Sequence, residues 1–179
     1  MRKIPPSTSL CTTLILLGSL CFATSHAHAS SQGVGIGVAG GAAFSPTKIN
    51  ENAQEIDVGS GFAWGFFVDI PLLETFYISP AAILYELDFG EGTNPATDID
   101  LNFKFIVPIS ALRLGAGFTL GLTQAENNNS PHIGGLGYVS LNLVANLDAF
   151  VMLQYKKLFR DGDDVNTLYG FAGGLFRFE

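Results

Sequence analysis

The chain has 179 residues, 47% of them hydrophobic, with 21 glycines, 15 phenylalanines and a formal net charge of −7. The acidic balance excludes a nucleic-acid-binding face, which needs clustered Lys and Arg. Hydropathy is positive on average, yet no stretch beyond the N-terminal leader is apolar enough for the roughly 20-residue helix that spans a bilayer.

The N-terminal segment has a basic start at Arg2 and Lys3, an apolar run from Leu10 to Phe22, and the tripeptide Ala27-His28-Ala29. This is the layout of a secretory signal peptide cleaved before Ser30. The apolar run is too short to serve as a spanning anchor. Leu20 precedes Cys21 where lipoprotein processing needs a small residue. Residues 1–29 are therefore expected to leave, and 30–179 to form one domain by length. Cys11 and Cys21 leave with the leader, so the mature domain has no disulfide and no thiol chemistry. Loss of Arg2 and Lys3 leaves seven basic residues against 16 acidic ones, a net charge of −9.

Period-two alternation then predicts eight strands. The first covers Gly33–Phe44, with Val34, Ile36 and Val38 opposite glycine and alanine. The second covers Gly59–Ile70, with Phe62, Trp64, Phe66, Val68 and Ile70 on one face and Asp69 on the other. The third, Thr75–Leu87, is the least regular, because Tyr77, Ile83 and Tyr85 compete with Phe76, Ile78 and Leu84 for the apolar face. The fourth, Asp98–Val107, alternates Ile99, Leu101, Phe103, Phe105 and Val107 with Asp98, Asp100, Asn102 and Lys104. The fifth, Ala111–Leu122, opposes leucines and Phe118 to Arg113, Gly115, Gly117, Thr119 and Gly121. The sixth is Ile133–Leu143, the seventh Ala149–Leu158, and the eighth Thr167–Phe178. Segments of about ten alternating residues suit a tilted strand crossing the hydrocarbon layer.

The connections set the topology. Pro71–Glu74, Pro108–Ser110 and Val144–Asp148 are short and carry turn residues. Ser45–Val58, Asp88–Thr97, Thr123–His132 and Phe159–Asn166 are longer and polar. Long and short connections alternate, so the fold class is all-β: an eight-stranded antiparallel up-and-down transmembrane β-barrel, with short periplasmic turns and four longer extracellular loops. A soluble barrel also alternates but puts its apolar face inward. The phenylalanine load and the glycine-rich opposite faces leave too little polar surface for a soluble shell.

The chain ends in GGLFRFE, and with the eight alternating segments this resembles the small eight-stranded outer-membrane barrels of Gram-negative bacteria. That group includes the transmembrane domain of outer membrane protein A, outer membrane protein X and outer membrane protein W. Such proteins close on an alternating aromatic segment read by the outer-membrane assembly machinery, and Gly173, Phe176 and Phe178 match it. Glu179 after the last aromatic, and Phe171 where a polar residue is usual, depart from the pattern. The resemblance implies outer-membrane assembly and no single activity, since the fold hosts adhesins, anchors, channels and some enzymes.

The alternation points Asp69, Asp98, Asp100, Lys104, Arg113, Lys156 and Arg177 inward. An eight-stranded interior is just wide enough for side chains, so these are expected to form a paired polar network plugging the barrel. Inward Gly115, Gly117 and Gly121 leave room that keeps a polar path open as the alternative. Tyr138, Met152, Tyr169, Phe171 and Leu175 also face inward, as ordinary filling or as the lining of a pocket for a small hydrophobic molecule. Trp64, Tyr77, Tyr85 and Tyr155, with Phe44, Phe105, Phe176 and Phe178, are expected at the two membrane interfaces.

The loops are acidic, with Glu51, Glu55 and Asp57 in the first, Glu91 in the second, Glu126 in the third and Asp161, Asp163 and Asp164 in the fourth. No EF-hand spacing is present, and Asp-Gly is a common turn pair. His132 falls at the end of the third loop, and the only histidine of the mature domain has no His-x-Ser companion for lipid A chemistry. No cofactor, metal or catalytic set is therefore expected. The expected partners are outer-membrane lipid and lipopolysaccharide, the assembly machinery and, through the loops, a host or envelope protein. The expected function is a non-enzymatic surface structural or interaction module, of adhesin or envelope-stabilising type. A small channel or conduit for ions or small hydrophobic compounds is the alternative.

Overall fold

A computed structural model of the chain describes residues 33–45, 48–51, 54–57, 61–88, 93–125, 128–159 and 164–178. The expected leader, and Glu91, Glu126, Asp161, Asp163 and Glu179, lie outside these residues. The elements are β1 (Val34–Phe44), β2 (Lys48–Glu51), β3 (Gln54–Asp57), β4 (Gly61–Pro71), β5 (Phe76–Asp88), β6 (Thr93–Ile109), β7 (Leu112–Ala125), β8 (Asn128–Val144), β9 (Leu147–Leu158) and β10 (Val165–Phe178). Eight of them close into an antiparallel barrel in the order β1-β10-β9-β8-β7-β6-β5-β4, and β2 and β3 pair as a separate hairpin within the first long connection. Closure pairs β1 with both β4 and β10 and so leaves no free edge, the condition for exposing a sheet to lipid.

Alternation decides which side chains go where. Ile99, Leu101, Phe105 and Val107 of β6 lie outside, while Asp98, Asp100, Asn102 and Lys104 are buried within. The same division runs round the ring, so the outer surface is a continuous apolar belt that includes Phe62, Trp64, Phe118, Val151, Leu153 and Phe176. No helix of the described residues is long and apolar enough to cross a membrane.

Three tight connections define one end of the barrel, the turn end, which also holds both ends of the barrel's strand sequence. Residues 110–111 form a turn in which Ser110 has a left-handed φ of 57°. Each turn is tied to the neighbouring hairpin, since the Thr75, Ala111 and Asn146 carbonyls accept from the Ile106, Asn142 and Arg177 amides at 2.7, 2.9 and 2.8 Å.

The opposite, loop end departs from the expected boundaries. The strands run further than polarity suggested: Asp88 pairs with Thr93, and Ala125 with Asn128. The third connection is thus reduced to residues 126–127, and His132 belongs to a strand rather than a loop. Pro131, within this strand, sits on the outer face with its carbonyl accepting from the Phe159 amide at 2.9 Å. Its missing N–H faces no demand there. At the turn end, likewise, Asp148 lies in β9 and not in the preceding turn, which is only residues 145–146.

Candidate functional site: a charged barrel interior

All seven inward charges named from sequence are buried inside the barrel, and Asp148 and His132 join them. They divide into two clusters along the barrel axis. Eight strands leave no water-filled bore around them, so each charge must find its partner across the lumen.

The cluster toward the loop end is built on Asp98 and Asp100 of β6. The ammonium of Lys156, from β9 across the lumen, lies 2.6 Å from Asp98 Oδ2 and 2.7 Å from Asp100 Oδ2. Asp98 also accepts from the hydroxyls of Tyr85 at 3.0 Å, Thr123 at 2.7 Å and Tyr169 at 2.9 Å. Lys156 in turn stands 4.6 Å from the centroid of the Tyr169 ring. A buried carboxylate with its lone pairs filled in this way recovers much of what desolvation costs.

His132 completes the cluster. Its Nε2 is 2.8 Å from Asp100 Oδ1 and its Nδ1 is 2.9 Å from Thr123 Oγ1. The Thr123 hydroxyl thus links Asp98 to the imidazole, which reaches Asp100 through its other nitrogen.

The contact exists because of a glycine. Asp100, Gly121 and His132 are direct cross-strand neighbours on β6, β7 and β8. A Cβ on Gly121 would meet Ile99 O at 2.3 Å, His132 Nε2 at 2.5 Å and Asp100 Oδ1 at 2.9 Å. At Gly121, one of the three inward glycines that left a polar path open, the space is occupied by the His132–Asp100 contact.

Toward the turn end, Asp69 pairs with Lys104 and accepts from Ser79 Oγ at 2.7 Å. Asp148 takes Arg177 Nε at 2.6 Å, Asn142 Nδ2 at 2.9 Å and Arg113 Nη1 at 3.4 Å. Arg177 Nη2 stands 3.8 Å from Asp69 Oδ2, too far for a hydrogen bond. The clusters are joined along one wall: Gln154 Nε2 donates to Asp100 and to Asn102, and Asn102 Nδ2 donates to the Ser79 carbonyl, at 3.2, 3.0 and 3.0 Å. Against the other wall lies an apolar layer in which Phe67 meets Phe150 and Phe171 edge-on, with centroids 5.7 and 5.8 Å away. Tyr138, Met152, Tyr169, Phe171 and Leu175 are all buried as filling around it.

Two interface assignments need correction. Tyr77 and Tyr85 are each 3% exposed and point into the lumen, whereas Trp64 and Tyr155 are 49% exposed on the belt. On β5 the apolar residues of both faces are similar, and the phenols go inside because polar partners wait there: Tyr85 bonds Asp98, and the Tyr77 ring lies under the Arg177 guanidinium at 5.7 Å. Phe44, Phe105, Phe176 and Phe178 lie outside. At the C-terminal end of β10, Phe176 and Phe178 pack edge to face with centroids 5.1 Å apart. Gly173 lies close against β1, where a Cβ would fall 2.1 Å from Val38 O.

Asp98, Asp100 and His132 have donor atoms within 4.8 Å of one another, the spacing of a metal site. The Lys156 ammonium already sits between the two carboxylates and supplies the cation such a group would need. Thr123, His132 and Asp100 also have the order of a hydroxyl–imidazole–carboxylate set. The hydroxyl is buried and donates to Asp98, which removes it from nucleophilic duty. In the fourth loop, Asp164 pairs with Lys157 at 2.7 Å on the exposed surface.

No family model matches the chain. No curated protein matches it in sequence either. Solved structures do match. Neisserial surface protein A aligns with a TM-score of 0.62 and 16% identity, over 84% of this chain and 100% of that one. OprG of Pseudomonas aeruginosa aligns with a TM-score of 0.54 and 10% identity, over 84% and 98%. Ail, the attachment invasion locus protein of Yersinia pestis, gives 0.52 and 16% over 83% and 100%. The chain has the fold of the small eight-stranded outer-membrane β-barrels.

Proposed function

We propose that this protein is a non-enzymatic integral protein of the outer membrane, in which a closed, ion-paired barrel serves as a rigid base for surface loops that contact other molecules. The carrying observation is the interior. Lys156, Asp98 and Asp100 have fully buried side chains bonded to one another across the lumen. A side-chain network that spans the bore both locks strand register and blocks flow. Function then falls to the segments the scaffold presents, and the first of these carries its own β2–β3 hairpin.

The loop sequences are acidic. Their expected partners are lipopolysaccharide, bridged by divalent cations, and a basic patch on a host or envelope protein. Phe176 and Phe178 with Gly173 form the segment offered to the assembly machinery. Ail, named for attachment and invasion, has this fold, which fits an interaction role without assigning one.

The test is single-channel recording of the refolded barrel in planar bilayers, after a boiled-versus-unboiled gel shift has confirmed folding. Silence supports the closed scaffold. Reproducible conductance steps that change when Asp98, Asp100 and Lys104 are neutralised would replace it with the channel reading.

A further inference from the structure

The outer surface differs in charge between the two ends of the barrel. At the loop end Glu86 is exposed on β5, and Lys157 and Asp164 form an exposed ion pair. At the turn end Asp69, Lys104, Arg113, Asp148 and Arg177 are all buried in the lumen. The three turns there are residues 72–75, 110–111 and 145–146, and Glu74 is their one charged residue. Turns that face water ordinarily carry polar groups. Here the exposed groups are apolar: Leu72 and Leu73 at 52% and 68%, with Ile109 and Val144 at 52% and 62% beside the other two turns.

These residues continue the apolar belt. Leu72 keeps the outward parity of Phe66 and Ile70, and Ile109 that of Phe105 and Val107. The Thr75 carbonyl accepts from the Ile106 amide, which sets the Leu72–Leu73 turn beside the part of β6 that sends Phe105 and Val107 outward. The height of the belt agrees. On β7 the outward row is apolar from Leu112 to Leu122, and the next outward residue is the exposed Gln124. A row of that length, rising about 3.4 Å per residue and tilted by about 40°, stands about 25 Å tall, the full apolar band of a membrane barrel. A band that starts at Leu112 leaves no length of wall between it and the turns.

The turn is also built to leave water. The Leu72 and Leu73 amides both donate to the Phe76 carbonyl, at 2.9 and 3.2 Å, and the Phe76 amide donates to the Leu73 carbonyl at 3.3 Å. Backbone groups paired in this way can enter lipid without being orphaned there. We infer that the Leu72–Thr75 turn is a lipid anchor: Leu72 and Leu73 enter the acyl-chain boundary of the leaflet at the turn end, and Glu74 stays among the headgroups. The turn end then sits flush with the membrane, and its partner is phospholipid and not a soluble protein or a second barrel. This rests on the proposed membrane-integral reading of the barrel.

The test is tryptophan quenching in phosphatidylcholine nanodiscs, which leave both faces open to buffer, with brominated acyl chains as the lipid quencher and iodide as the aqueous one. The chain has a single tryptophan, Trp64, exposed on the belt. The parent therefore reports on the belt, and Trp64→Phe with Leu73→Trp reports on the turn. Both should be quenched by brominated chains and shielded from iodide. Lipid quenching of Trp64 with iodide quenching at position 73 would overturn the anchor alone and give the turn to water. A Trp64 that brominated chains leave untouched would overturn the membrane-integral reading itself, and the anchor with it. Tryptophan has its own affinity for the interface, so a second variant carries none at the turn. Leu72→Ser with Leu73→Ser removes no interior packing and suits a turn in water. It should nevertheless lower the urea midpoint of the lipid-embedded barrel, because two apolar groups no longer leave water. An unchanged or raised midpoint would overturn the anchor.

Discussion

The loop-end and turn-end halves of the lumen are built from the same strands by the same alternation, and they solve the burial of charge differently. Around Asp98 and Asp100 both carboxylates share the Lys156 ammonium, and hydroxyls, the Gln154 amide and the His132 ring fill their remaining positions. The unpartnered atoms near that level belong to neutral groups, Thr119, Thr167 and the Gln154 carbonyl. Around Asp69 and Asp148 the unpartnered atoms belong to charged groups, Asp69 Oδ2 and the Arg177 guanidinium, which face each other at 3.8 Å without closing a hydrogen bond. A cluster bonded throughout is a fastener, and each of its members is needed. A cluster with charged atoms left apart loses less when one contact goes.

That contrast can be broken most directly by deleting one cation from each half. Lys156→Met leaves Asp98 and Asp100 buried without the ammonium they share, and removing one partner of a buried pair typically costs about 3–5 kcal/mol. Arg113→Met removes the longest of the contacts to Asp148, which keeps Arg177 Nε at 2.6 Å and Asn142. It should cost about 1.5–3 kcal/mol, that of a hydrogen bond to a charged group. Urea unfolding of both variants in the same lipid or micelle, referenced to the parent, checks the ordering. Equal losses would show that the halves are not distinct.

How much of this was legible in the sequence follows from where parity is unambiguous. On β6 the alternation of Asp98, Asp100 and Lys104 with Ile99, Leu101 and Phe105 fixes both faces, and the network could be named from it. Asp148 and His132 share the parity of their strands: Asp148 with Phe150 and Met152, His132 with Leu136 and Tyr138. They were hidden by local punctuation, because Asn146-Leu147-Asp148 and Ser130-Pro131 have the composition of turns. Extending the alternation outward past those signals, one residue at a time, would have found both. The tyrosines of β5 are a different case. A phenol is at home both at a headgroup and beside a buried carboxylate, so Tyr77 and Tyr85 cannot be sided without knowing that Asp98 and Arg177 lie across the way. The pairing of partners across the lumen is likewise a property of closure and not of any one strand.

Gly121 sharpens the comparison, since it shows how tightly the loop-end cluster is fitted. Gly121→Ala puts a methyl group where His132 Nε2 and Asp100 Oδ1 meet. Overpacking of this kind costs about 1–3 kcal/mol. Part of the clash is with the Ile99 backbone carbonyl, so His132→Ala in the same chain should relieve only part of the loss. A double-mutant cycle by unfolding reads that coupling, and strict additivity would mean that the methyl group and the imidazole do not compete.

The smallest effects come from two tyrosines that differ by one partner. Tyr169 and Tyr138 are both buried, both face the lumen and both carry a lysine ammonium over the ring, at 4.6 and 4.8 Å. The Tyr169 hydroxyl donates to Asp98 at 2.9 Å, whereas the Tyr138 hydroxyl bonds no carboxylate and has only the neutral Ser140 hydroxyl beside it. Tyr169→Phe therefore takes a donor from a buried carboxylate and should cost about 1.5–3 kcal/mol. Tyr138→Phe removes a hydroxyl that reaches no carboxylate and should cost only about 0.5–1 kcal/mol. Urea unfolding of both variants beside the parent checks the difference. A Tyr138→Phe variant as costly as Tyr169→Phe would mean that its hydroxyl is already engaged by tightly held water, and that the turn-end half is as fully fastened as the other.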